Sequence, residues 1–148
     1  MMDNMLLAED RLAIMDVLVR YATGIDQRNW PLFRTCFTDD FTAEYDGFGT
    51  WTSGDEITQV MIGAHEQVGA TMHRMSNMAI EPTATGAKSR TYVDAVLMPL
   101  EAGGPTSQAT GYYDDTHVKT EAGWKIASRK FTFVRFRQAI DPPSPFAS

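Results

Sequence analysis

What most constrains this chain is a change of period near Thr71. Before that point apolar residues recur at helical spacing. After it they alternate with polar ones over residues 71–80, 87–100, 106–119 and 124–136. A period of two predicts half-buried strands, and segments 82–86, 101–105 and 120–123 carry the turn chemistry between them. Helices followed by an antiparallel meander make an α+β arrangement by segregation. At 148 residues the chain reads as one domain over residues 1–140, with a Pro-rich tail at 141–148 that cannot continue a sheet.

The first half carries the helices. Ile14, Leu18, Tyr21 and Ile25 predict a helix over residues 7–27. Beside them Met15, Val19 and Ala22 lead to Asp26, so this carboxylate is expected to continue an apolar stripe towards the core, near a weakening Gly24. A buried carboxylate needs a partner, or it protonates. Asn29 is expected to cap a short helix that starts at Trp30-Pro31, carries the apolar segment around Cys36 and ends at Asp39-Asp40. Residues 41–45 and 50–52 read as a short hairpin around a turn at 46–49. Ser53-Gly54-Asp55-Glu56 then opens a third helix with Ile57, Val60, Met61, Ala64 and Val68 inward.

The best partner for Asp26 is His73. Alternation places His73, Met75, Asn77 and Ala79 on one strand face, and such a face suits a mostly apolar ligand with one or two polar handles. A carboxylate beside an imidazole raises its basicity and selects its tautomer, which makes a general base. Each residue alone also has an ordinary structural use. His73 fits a satisfied core histidine, and Asp26 fits a helix end turned outward. Tyr21, Tyr45, Phe48 and Trp51 fit core or interface aromatics. Arg129, which alternates with Ala127 and Phe131, fits a surface or dimer salt bridge or, turned inward, a group that offsets negative charge. His65, beside Glu66, is expected to be solvated.

Composition narrows the function classes. Hydrophobic residues at 43% and charged residues at 22% fit a globular domain. A net charge of -6 with scattered arginines argues against nucleic acid as a partner. His65, His73 and His117 show no short ligand spacing and there is one cysteine, so no metal site is expected. No phosphate-binding glycine loop or nucleophile triad is present, and no cofactor is expected. A lone Cys36 suggests a reducing compartment. Asp3, Glu9 and Asp10 interrupt the first ten residues, so neither a signal peptide nor a membrane span is expected there, and the protein is expected to be cytoplasmic.

Several segments share a pattern with a known family. They are Arg20-Tyr21-Ala22 with Asp26-Gln27-Arg28-Asn29-Trp30, Phe37-Thr38-Asp39-Asp40-Phe41, Thr71-Met72-His73 with Asn77, and Gly123-Trp124-Lys125-Ile126 with Arg129. In order and spacing the chain resembles the SnoaL-like branch of the nuclear-transport-factor-2-like superfamily over residues 7–136. The resemblance implies a cone-like fold in which a strongly curved, mostly antiparallel sheet wraps the N-terminal helices around a pocket. Within the superfamily it is nearest to scytalone dehydratase and hexachlorocyclohexane dehydrochlorinase, which place an aspartate at Asp26 and a histidine at His73 as orienting partner and base. Tyr45 matches a pocket tyrosine of the dehydratase. Three departures stand out: Tyr21 replaces a lysine of the dehydrochlorinase, Ile25 replaces a tyrosine of the dehydratase, and the dehydratase's second pocket histidine has no match, since His117 lies near a predicted turn.

The expectation is a cofactor-independent lyase, dehydratase or isomerase with Asp26 and His73 catalytic. Tyr21, Tyr45, Met75, Asn77 and Arg129 are expected to contact a small, mostly apolar or aromatic substrate. The alternative is a non-catalytic ligand-binding or assembly subunit, like the β subunit of ring-hydroxylating dioxygenases, which the pattern also resembles. A homodimer or homotrimer fits both.

Overall fold

The computed structural model describes residues 5–146, so the expectations for residues 1–4 and 147–148 lie outside it. In chain order the elements are α1 (Ala8–Asp26), α2 (Trp30–Arg34), β1 (Phe37–Tyr45), β2 (Gly49–Trp51), α3 (Gly54–His65), β3 (Val68–Pro82), β4 (Ala87–Pro99), β5 (Pro105–Thr120) and β6 (Gly123–Ile140). The strands form one curved sheet in the order β2-β1-β6-β5-β4-β3. Pairing is antiparallel except between β1 and β6, which run parallel because the chain crosses back through α3 and the meander before returning. This is the cone-like α+β fold expected from the sequence.

Ile14, Val17, Leu18, Tyr21 and Ile25 of α1 are buried against the sheet. The second stripe is a correction: Ala22 is buried, but Met15 and Val19 are 39% and 51% exposed. Two adjacent stripes of α1 are apolar, and the concave sheet covers only one arc of a helix. At the other end, Asp10 accepts hydrogen bonds from the Trp124 indole at 2.9 Å and the Lys119 ammonium at 3.1 Å, which ties the first turn of α1 to the β5–β6 hairpin.

Asn29 caps α2 by accepting from the Leu32 N–H at 3.1 Å. Gly24 has a packing role here, since a Cβ on it would lie 2.9 Å from the Phe33 backbone. The helices touch through glycine, and the Phe33 ring then packs tilted against Tyr21 and edge-on against Phe37, with centroids at 5.3 and 5.0 Å. β1 starts at Phe37, so Asp39-Asp40 lies inside a strand instead of ending a helix; both side chains face solvent, and Arg34 pairs with Asp39 and Asp55. Ser53 caps α3 through the Glu56 N–H at 3.0 Å, and Val68 opens β3 where it was expected to close α3.

Irregularities curl the long strands. The β3 register breaks between Ser76 and Ala79, where Asn77 has φ +51°, and β5 breaks at Thr110/Gly111 and Thr116/His117. At Gly111 a Cβ would sit 2.1 Å from the Thr132 carbonyl oxygen, so the bend accepts no side chain. Gly24→Ala is expected to force α1 and α2 apart and lower stability by about 1–3 kcal/mol, measured by urea unfolding. An unchanged midpoint would show that this contact yields freely.

Candidate functional site

The open end of the cone holds a cavity of ≈ 460 Å³. Its apolar wall comes from every layer: Ile25 of α1, Met61 of α3, Val93 and Leu97 of β4, and Phe131 and Phe133 of β6, with Phe48 and Trp51 at the hairpin. Among the described residues its polar side chains are Tyr21, Tyr45, Tyr113, His65, His73 and Ser107, with the indole N–H of Trp51.

Asp26 and His73 meet. Asp26 Oδ1 accepts from His73 Nδ1 at 2.7 Å and from the Thr71 hydroxyl at 2.9 Å, while Oδ2 accepts from the His73 backbone N–H at 2.9 Å. The side chains are 23% and 9% exposed. Because an ionised carboxylate only accepts, Nδ1 carries the imidazole proton and Nε2 holds a free lone pair. Burial pushes the Asp26 carboxyl upward, but the hydrogen bonds from the His73 ring, the His73 backbone N–H and the Thr71 hydroxyl outweigh that and hold it below the ordinary carboxylate range.

Arg28 supports this arrangement from behind. It sits in the left-handed region at φ +53°, just past the end of α1. Its guanidinium donates to the carbonyls of Ile25 and Gly69 at 2.7 and 2.5 Å and to Thr71 Oγ1 at 2.9 Å. Arginine only donates and carboxylate only accepts, so the Thr71 hydroxyl between them can point one way alone, towards Asp26.

A second polar group is built from tyrosines. The Tyr21 hydroxyl lies 3.0 Å from that of Tyr45 and 3.4 Å from that of Tyr113. Burial pushes the phenols of Tyr21, Tyr45 and Tyr113 upward, so all three stay protonated. Arg129 lies behind them with its guanidinium over the Tyr21 and Tyr113 rings at 4.2 and 3.8 Å. It forms a two-pronged pair with Asp115 at 2.8 Å, and both side chains are wholly buried.

The structure therefore redistributes the expected contacts. Tyr21 and Tyr45 line the cavity beside His73. Asn77 is exposed, because the bulge it forms resets the alternation that placed it with His73. Met75 points inward but packs against the core and is not part of the cavity wall. Arg129 is neither a surface ion pair nor a cavity group; the tyrosine rings screen it. His117 is buried, with Nε2 at 2.7 Å from the Ser89 hydroxyl, away from the cavity.

Besides Ser107, two ring-bearing polar groups of the cavity went unread. Tyr113 shares the inward register of Asp115 and His117 on β5, a signal visible in the alternation. His65, expected in solvent, lines the cavity instead, and it continues Ile57 and Met61 at spacings of four along α3. Among the described residues, no three His, Cys, Asp or Glu side chains are grouped so as to hold a metal ion. No helix among them is long and apolar enough to cross a membrane.

The lowered Asp26 value sets a pH dependence. A carboxyl whose folded value lies below its unfolded value of ~3.9 contributes stability in full above that pH and loses it as pH falls through the folded value. The native protein is thus expected to exceed Asp26→Asn in stability by a constant margin near neutrality, a margin that closes below pH ~4 in stepped-pH urea unfolding. A margin that persists in acid would show that the charge of Asp26 contributes nothing.

This architecture matches known proteins. The model of the SnoaL-like domain matches residues 7–130. An uncharacterized protein of Mycobacterium tuberculosis (strain ATCC 25618 / H37Rv) is 28% identical over 124 residues, covering 81% of this chain and 82% of that one. The crystal structure of a type 2 hexachlorocyclohexane dehydrochlorinase superposes with a TM-score of 0.82 at 19% identity, covering 95% of this chain and 100% of that one. A Novosphingobium aromaticivorans DSM 12444 protein assigned as a scytalone dehydratase superposes with a TM-score of 0.80 at 22% identity, covering 96% and 100%. At such identities the two structures share a fold with this chain. The domain match over most of its length, on the cone and cavity described above, makes the protein a member of the SnoaL-like domain family.

Proposed function

We propose that the protein is a cofactor-independent lyase, dehydratase or isomerase acting on a small, mostly apolar or aromatic molecule. The observation that carries this reading is the 2.7 Å Asp26–His73 hydrogen bond in the wall of an apolar cavity. His73 Nε2 takes a proton from carbon or a hydroxyl of the substrate, and Asp26 stabilises the imidazolium that results. The electron pair left behind moves towards an oxygen or a leaving group, and the protonated tyrosine hydroxyls donate to the atom that gains charge. The fold shared with a dehydrochlorinase and with a protein assigned as a scytalone dehydratase supports an elimination.

Charge limits the substrate further. The guanidinium of Arg129 is paired with Asp115 through Nε and Nη2 and covered by Tyr21 and Tyr113, and among the described residues no lysine or arginine lines the cavity. A neutral ligand suits these walls better than a carboxylate or phosphate, which would enter without a counter-charge.

Screening aromatic alcohols, ketones and halides for elimination or isomerisation is expected to find turnover. His73→Ala and Asp26→Asn should each lower kcat by roughly 10²–10⁴-fold while circular dichroism shows both variants folded at the assay temperature. Ligands that bind equally well to His73→Ala, with no turnover by either protein, would favour the non-catalytic binding or assembly role.

The same reading takes a homodimer or homotrimer as the working unit. It is supported by apolar side chains left open on the outer part of β6, where Val134 and Ile140 are 69% and 72% exposed. Sedimentation is expected to show a closed oligomer that Val134→Glu dissociates, and a monomeric native protein would remove this part of the reading.

A further inference from the structure

The cavity contains a second imidazole whose hydrogen bonding is half finished. His65 Nδ1 lies 2.8 Å from the Met61 carbonyl oxygen, one turn back on α3. A carbonyl only accepts, so Nδ1 holds the proton and Nε2 is a bare acceptor. That nitrogen is buried and has no hydrogen-bond partner among the described residues. The ring lies near those of Trp30 and His73, with centroids at 5.8 and 6.5 Å, and His65 forms part of the cavity wall. Burial outweighs the hydrogen bond to Met61 and holds its pKa below the ordinary imidazole value, which keeps it neutral.

A buried acceptor without a donor costs free energy, and a ligand that supplies the donor recovers it. We infer that His65 is a specificity-determining residue that accepts a hydrogen bond from a hydroxyl or N–H of the cavity's ligand. This rests on the reading of the cavity as a site for a small neutral molecule. The two histidines then divide the work. His73, oriented by Asp26, faces the proton that moves; His65 selects a donor that does not. A site built to receive such a donor discriminates against an analogue that lacks it, because the acceptor is again left bare.

The test uses 2-naphthol and 2-methoxynaphthalene, which differ in the donor while presenting the same rings, titrated against the native protein and followed by tryptophan fluorescence. The naphthol is expected to bind about fivefold to tenfold more tightly, the worth of one neutral hydrogen bond. In His65→Phe, which keeps a ring and loses the acceptor, the preference should fall below about twofold, and in His65→Gln, which restores an acceptor, it should return in part. His73→Ala should keep it. A preference that survives in His65→Phe, or is lost in His73→Ala, would place donor recognition elsewhere and overturn the inference, leaving the apolar cavity reading intact. If neither compound binds the native protein, the cavity reading fails, and the inference fails with it.

Discussion

Asp26 joins the two halves of the molecule. Its carboxylate, at the last residue of α1, receives three donors from a short run of β3, and that converts a helix end and a strand start into one rigid corner. An acceptor-only group on one side forces every partner to present a donor. The tautomer of His73 follows from this, as does the direction of the Thr71 hydroxyl. Arg28 makes the corner stiffer, because its left-handed backbone lets one guanidinium reach both the helix end and the strand start.

Below the cavity a different constraint operates. Asp115 and Arg129 are completely buried, a placement tolerated because Arg129 Nε and Nη2 hold both Asp115 oxygens in a two-pronged geometry, although Nη1 has no hydrogen-bond partner among the described residues. The rings of Tyr21 and Tyr113 cover Arg129, and both tyrosines line the cavity with their hydroxyls grouped together. The ligand space therefore meets phenols and imidazoles with no bare cation. Neutral donors and acceptors set in aromatic walls give orientation without favouring an ionic guest.

Much of this was legible in the residues. The change of period at Thr71 separates helices from strands because side-chain direction follows 3.6 and 2.0 repeats whatever packs against them. Ser53 and Asn29 announced their caps for the same local reason. The meeting of Asp26 and His73 was also inferable, although one support for it was wrong: Met15 and Val19 are exposed, and Asp26 is drawn inward by donors on β3 rather than by an apolar stripe. His65 was missed although its spacing with Ile57 and Met61 pointed inward, because its neighbour Glu66 suggested solvent.

What the chain alone determined were properties with a local cause: element types, caps, turns, and the inward register of the long strands up to their first bulge. The tertiary structure decided what depends on distant partners. Asn77 left the site because a bulge shifts alternation by a residue, and alternation carries no mark of where it breaks. Met75 stayed inside but met the core, and Arg129 became a buried ion pair, since the choice of partner belongs to strand pairing across the sheet. The parallel return of β6 beside β1 closes the cone, and only that closure brings His65, His73 and the tyrosines around one cavity.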